Sequence, residues 1–297
     1  MDNLLFYTGI SSGLAHSIYS AISKSLLKNR IQEPFHFFLS ISTLQALTTP
    51  LLWLFVRPAV PPLAGWTPLL MAGLTGVIAF LLLYMPLSSG DASSVMPILG
   101  SKVIFAGFLA IFLLNEKHHG AIYLAAILVA IAIGILSYSP STNSTFSLRP
   151  IVLMIVCSIV FALTDNFISR SLLTIDPYNF LVYYNLILGI GSLAVIPYLK
   201  KGGEALFLVG KDLWWNFVAA IFLVAATLLL VISFEVAEGV VIPNILVSTR
   251  GIFIVLISAV LSQRGSTLLE TQTWKIYLSR LAASGLIIGS IWITLHK

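Results

Sequence analysis

Met96-Pro97-Ile98-Leu99-Gly100-Ser101-Lys102 and Ile242-Pro243-Asn244-Ile245-Leu246-Val247-Ser248-Thr249-Arg250 are two versions of one pattern. Each has an apolar residue and a proline, then an apolar run, a small hydroxyl residue and a cation. The prolines are 146 residues apart. The run Ile98 to Lys102 pairs with Ile245 to Thr249 at 147, and Arg250 follows the counterpart of Lys102. The likeness extends outward. Glu33-Pro34-Phe35-His36-Phe37 returns as Asp176-Pro177-Tyr178-Asn179-Phe180 at 143. Lys24 returns as Arg170 at 146, and Asn115-Glu116-Lys117 as Ser262-Gln263-Arg264 at 147. From Glu33 onward the offset grows from 143 to 147, as a few short insertions produce. The pattern predicts a duplication, with copies over 1–140 and 150–297 and a polar linker over 141–149.

The 297 residues are 58% hydrophobic and 9% charged, where a soluble chain carries about 25% charge. Mean hydropathy is +1.01. Apolar blocks of bilayer length predict spans at 4–27, 36–56, 67–89, 92–114, 120–138, 150–173, 178–199, 213–236, 239–261 and 278–295. The expected fold is an all-α membrane protein of ten transmembrane helices. Five spans per copy make the second copy enter the membrane from the opposite side, giving two inverted five-helix repeats. The first apolar segment has no small-residue cleavage site after a short core and reads as a mature helix. Gly9-Ile10-Ser11-Ser12-Gly13 and Gly285-Leu286-Ile287-Ile288-Gly289 predict close helix packing within one chain.

Soluble catalytic signatures are absent: no phosphate-binding loop, no zinc-protease helix, no paired-cysteine motif and no serine elbow occurs. The expectation is a non-enzyme with no cofactor and no metal. His118-His119 reads as a solvated turn. A lone cysteine, Cys157, allows no internal disulfide. The net charge of +5 fits basic loops at a lipid surface and not nucleic-acid binding. Loop charge puts both termini on the non-cytoplasmic side. Asn143-Ser144-Thr145 is a glycosylation sequon that matters only in a secretory compartment.

Charges inside spans carry the functional reading. Lys102 and Arg250 lie about ten residues into their spans, roughly 15–17 Å deep at 1.5 Å per residue. Each costs at least ~2.5–3.5 kcal/mol there, so each needs an ion pair or an anionic ligand. Asp165 is deep enough to neutralise one of them but not both. The interior therefore reads as net cationic, and Lys102 with Arg250 as a clamp for an anion. Structural pairing is the alternative. Pro97 and Pro243 predict kinks just before the two cations. His16, Tyr84, Tyr183, Tyr184 and Asn185 are candidates to line the cavity, with Tyr19, Ser20 and Asn166 beside them. Asp165 or His16 is a candidate carrier of a coupling proton. Lys24 and Arg170 sit near helix ends, where long side chains snorkel to the interface.

The stretch Leu82-Leu83-Tyr84-Met85-Pro86-Leu87-Ser88-Ser89-Gly90-Asp91-Ala92-Ser93-Ser94-Val95-Met96-Pro97, followed by an apolar run to Leu113-Leu114-Asn115-Glu116-Lys117, resembles the drug/metabolite transporter superfamily in its ten-helix EamA-like form. Lys24 matches the family's lysine near the end of helix one. In the second half Ser262-Gln263-Arg264 replaces the family's Glu-Arg turn, and the arginine common in the family's helix two is missing. The resemblance implies inverted five-helix repeats around a central cavity, alternating access, and termini in the cytoplasm. Its phosphate-translocator branch binds organic phosphates through basic residues of helices four and nine, the helices of Lys102 and Arg250.

Together these readings predict a secondary transporter of a small anionic metabolite, an organic phosphate or carboxylate. The alternative is an exporter of neutral or zwitterionic metabolites such as amino acids. The expected partners are a small-molecule substrate and membrane lipid, with no nucleic acid. The chain is expected to be a monomer or weak dimer in a plasma or inner membrane.

Overall fold

The computed structural model describes residues 3–29, 31, 33–89, 96–115, 119–137, 148–202, 208, 210–263 and 274–295. Asp91, Glu116, Lys117, His118, the linker 141–147, the sequon and Arg264 lie outside them. The described residues are helical, with no strand. In the first copy the helices are α1 (Asn3–Asn29), α2 (Pro34–Thr48) running into a 3-10 turn (Thr49–Leu54), α3 (Leu63–Ser89), a 3-10 segment (Met96–Ser101), α4 (Lys102–Leu113) and α5 (Gly120–Ser137). In the second they are α6 (Leu148–Leu172), α7 (Pro177–Ser192), a 3-10 turn (Leu193–Val195), α8 (Ile196–Gly202), α9 (Gly210–Ala237), α10 (Val241–Val247), α11 (Arg250–Gln263) and α12 (Trp274–Leu295).

Among the described residues, five helical stretches are long and apolar enough to cross a membrane: Pro34–Leu54, Leu63–Pro86, Val152–Leu172, Pro177–Lys201 and Gly210–Ala237. Shorter apolar helices, among them Lys102–Leu113 and Val241–Ile254, accompany them. Large apolar side chains on the outside fall at helical spacing: Leu70, Leu74 and Ile78 on α3, Ile104, Phe108 and Phe112 on α4, and Val152, Ile155 and Ile159 on α6. In water such stripes would be a liability; against lipid tails they are the normal surface.

The repeated Glu33-Pro34 and Asp176-Pro177 are helix starts. Each proline sits at the first helical position, where its missing N–H removes nothing the helix would have used. Asp176 also caps α7, accepting from the Tyr178 and Asn179 amides at 3.1 and 3.0 Å. The join after α9 is equally local. Glu238 takes a left-handed conformation, φ 51°, and the Gly239 N–H reaches back to the Phe234 carbonyl at 3.2 Å. That closure is what lets α10 begin at Val241.

The helix bearing each deep cation is discontinuous just before it. In the first copy Pro97 lies in the 3-10 segment that ends at Ser101, and α4 begins at Lys102. In the second copy the break does not fall at the proline, as the sequence led us to expect. Pro243 lies in the first turn of α10, where an amide would have no helical partner. The break comes at Ser248 and Thr249. Their hydroxyls donate to the Ile245 and Leu246 carbonyls at 2.5 and 2.7 Å, in competition with the helical backbone pattern. The amides of Thr249, Gly251 and Ile252 bond three residues back, and α11 starts at Arg250.

Packing follows the duplication. In the first copy α1 lies on α9, and in exchange α6 lies on α3. Likewise α1 crosses the broken helix α10–α11, as α6 crosses the broken segment 96–113. The pairs α2–α7 and α5–α12 map onto themselves. Hydroxyls and a thiol join the long interfaces. Ser12 donates to the Ala226 carbonyl at 2.8 Å and Ser233 to Thr8 at 3.0 Å. Across α3–α6, Thr164 donates to Thr75 at 2.9 Å and Cys157 to the Ala79 carbonyl at 3.3 Å.

The two glycine pairs behave differently. A Cβ on Gly9 would lie 2.6 Å from Leu246 Cβ. One on Gly13 would lie 2.5 Å from Thr249 Oγ1 and 3.1 Å from the Val247 carbonyl. The first pair therefore seats α1 on the broken helix, while among the described residues nothing from another helix lies within 4 Å of a Cβ placed on Gly285 or Gly289. Gly13→Ala is expected to destabilise the protein by about 1–3 kcal/mol through overpacking. Gly289→Ala is expected to leave the thermal midpoint unchanged or slightly raised. Equal midpoints for the two variants in a melting experiment would contradict this packing.

Candidate functional site

Where α1, α3, α6 and α9 meet the two broken helices, they enclose a cavity of about 60 Å³. His16, Tyr19 and Ser20 face it from α1, Phe80 and Leu83 from α3, and Leu99 and Lys102 from the first broken segment. Phe161, Thr164, Asp165 and Ile168 line it from α6, and Tyr184 from α7. Leu223, Thr227 and Leu230 of α9 and Arg250 of α11 complete the wall. Both copies contribute, and polar groups share the wall with apolar ones, as in small-molecule pockets generally.

Three charges stand on this wall. Lys102 Nζ donates to Asp165 Oδ2 at 2.8 Å, with both side chains buried. The same oxygen accepts from Asn244 Nδ2 at 2.9 Å, and that amide also reaches the Val240 carbonyl at 3.0 Å. Asp165 thus holds α4, α6 and α10 together. Arg250 is half-buried. Its carbonyl accepts from Ser17 Oγ at 2.9 Å. Among the described residues no hydrogen bond or ion pair engages its guanidinium, and the ion pair found at the cavity belongs to Lys102.

The duplication explains why one cation is paired and the other is not. At the offset of 146 that matches Lys24 to Arg170, Asp165 corresponds to Tyr19 and Asn166 to Ser20. Where the second copy places a carboxylate against the cation of the opposite broken helix, the first copy places a phenol. The Tyr19 hydroxyl is hydrogen-bonded to the hydroxyl of Tyr84. Asn244 is the residue at which the offset grows from 146 to 147, a one-residue insertion between Pro243 and Ile245. The inserted side chain is the second donor to Asp165.

Of the residues singled out in the sequence, His16, Lys102, Asp165, Tyr184 and Arg250 come together at the cavity, with Tyr19 and Ser20 beside them. Tyr84 does not line it. It lies behind Tyr19, stacked on Phe80 with centroids 5.9 Å apart. Tyr183 turns away, packing on Trp53 and Trp66 at 5.9 and 5.6 Å. Adjacent residues of a helix point about 100° apart, and here that turn takes Tyr183 to the tryptophans and Tyr184 to the cavity. Asn185 donates to Thr49 Oγ1 at 3.0 Å in the α2–α7 contact. Asn166 donates to the Ala162 and Ala106 carbonyls. Arg170 is exposed in the last turn of α6, Lys24 is half-buried in α1, and His119 is exposed beside α5. Thr164, Thr227 and Asn244 were not singled out. The first two are uncharged residues within long apolar runs; the one signal for Asn244 was the drift in offset.

Removing one partner of a buried ion pair leaves the other charge uncompensated, at a cost of about 3–5 kcal/mol, whereas replacing both by apolar groups is often neutral. Asp165→Leu is therefore expected to lower the thermal midpoint sharply. Lys102→Met combined with Asp165→Leu should recover most of the loss. A double variant as unstable as Asp165→Leu alone would show that the pair is not what holds these helices.

Residues 4–138 match the EamA-like transporter family, which indicates a membrane transporter of small molecules and agrees with the resemblance read from residues 82–117. No curated protein matches the chain by sequence. A solved structure described as "Crystal structure of protein" superposes with a TM-score of 0.68 at 12% identity, over 98% of this chain and 95% of that one. That likeness is one of fold.

Proposed function

We propose that this protein is a secondary transporter that carries a small organic anion, a carboxylate or phosphate, across its membrane by alternating access around the cavity at Arg250. The observation that carries the proposal is a guanidinium on the wall of a central cavity with no anion of the described residues paired to it. A cation at membrane depth is costly unless something balances it. Arginine offers a planar fork of donors that fits a carboxylate or a phosphate with two parallel bonds. Lys102, held by Asp165, lines the same cavity and is the second cation within reach of a bound anion.

In this reading the ten helical segments are ten spans in two inverted five-helix repeats, 1–140 and 150–297. The exchange of packing partners between copies supports it: α1 on α9 answers α6 on α3, and α2–α7 and α5–α12 pair on themselves. The cavity supports a moving carrier in another way. Ligand pockets span roughly 300–1,000 Å³, and about 60 Å³ is much too tight for a metabolite. Loading requires the walls to part, and the breaks before Lys102 and Arg250 are the natural places to bend. The multi-pass protein would sit in a plasma or inner membrane. Zwitterionic substrates are the second reading, favoured by the presence of a carboxylate on the same wall. Against it, the Oδ2 of Asp165 already accepts from two donors.

The test is the thermal midpoint of the purified protein against metabolites sorted by charge. A ligand at about 100 times its Kd stabilises by about 2.7 kcal/mol. Organic anions are expected to raise the midpoint, and Arg250→Ala to abolish the rise together with uptake into proteoliposomes. Stabilisation by neutral or zwitterionic compounds alone would sink the anion reading.

A further inference from the structure

We infer that the anion taken by this cavity is monovalent, a monocarboxylate with an apolar body being the fitting class. The inference rests on the anion-carrier reading and sharpens it. Among the described residues the charged groups facing the cavity are Lys102, Asp165 and Arg250, and the other titratable side chains there are His16, Tyr19 and Tyr184, neutral in their ordinary forms. Two cations and one carboxylate leave one positive charge. Strict repetition would have given a different total. An acid at Tyr19, the counterpart of Asp165, would make the wall neutral, and a phenol at both places would make it doubly positive.

This single charge is fixed by geometry. Asp165 accepts at 2.8 and 2.9 Å from Lys102 and Asn244, so Lys102 is compensated where it stands. Arg250 alone is left to meet a ligand. A loaded carrier that passes through a closed state buries cavity and ligand together, and a residual charge there is penalised by loss of solvation. A monovalent anion brings the closed complex to neutrality, whereas a divalent one leaves a negative charge. The rest of the wall suits an apolar body. Phe80 and Phe161 meet edge to face at 5.2 Å, with Leu83 and Leu223 close by on the same surface.

The experiment compares butyrate with succinate, and benzoate with phthalate, each pair differing by one carboxylate, with butyramide as the neutral control. Binding to the purified full-length protein is read from the thermal midpoint, and uptake from exchange in proteoliposomes. The monovalent member of each pair is expected to act at concentrations at least about tenfold lower, the ratio that corresponds to roughly 1.4 kcal/mol. Asp165→Asn keeps the shape and the acceptor oxygen but adds one unit of positive charge, and should invert the preference towards succinate and phthalate. Should that variant fail to fold, Tyr19→Asp provides the opposite change: a neutral wall on which the response to butyrate and benzoate is lost. A wild-type preference for the divalent members, an unchanged ratio in Asp165→Asn, or a full response in Tyr19→Asp would overturn the inference and leave the anion-carrier reading standing. A response to butyramide alone, or to none of the compounds, would overturn both.

Discussion

Charge in a medium that cannot solvate it is the constraint on which the site depends. Lys102 and Asp165 meet at 2.8 Å between α4 and α6, and Asn244 adds a bond from α10 to the same oxygen. These contacts draw two broken helices from different copies onto one carboxylate. In water an ion pair contributes little, because solvent competes for both partners. With both side chains buried, solvent does not compete for either, and the arrangement acts as a knot at the centre of the helix packing. Arg250 stands outside the knot, and on the proposed reading it is the cation left to bind something that comes and goes.

Much of this was legible in the sequence for a simple reason. A lipid-embedded backbone must satisfy its own hydrogen bonds, so an apolar run of about 20 residues has few alternatives to a helix. The described residues of these apolar segments are accordingly helical along most of their length. Two matching features of the halves read in the sequence recur in the structure: the helix starts at Glu33-Pro34 and Asp176-Pro177, and the cation that follows each interrupted helix. That Asp165 is sufficient for one cation and not for two followed from counting deep charges.

What was not legible depends on rotation and on local competition for hydrogen bonds. No pattern in an all-round apolar helix says which of Tyr183 and Tyr184 faces inward. The first packs on two tryptophans and the second lines the cavity. Tyr84 was chosen as a polar group at membrane depth, but its hydroxyl is occupied by Tyr19 and its ring is buried behind Phe80. The position of the second break was obscured by Pro243, which draws the eye although it sits where a proline is harmless. The hydroxyls of Ser248 and Thr249 bond into the broken turn, and such residues are common in helices that do not break.

The mismatch between Tyr19 and Asp165 bears on the balance between the carrier's two faces. If two inverted repeats were identical, the inward-open and outward-open forms would be related by symmetry and equal in free energy. Each would then be half populated at rest. Here one copy has the acid, and only the other has the inserted Asn244 that binds it. A swing that loosens the contact between α6 and α4 gives up an ion pair, while the equivalent swing between α1 and α11 gives up none. On the proposed alternating-access reading, the degeneracy would be lifted by chemistry within the fold, and the empty carrier would have a preferred side on which to wait.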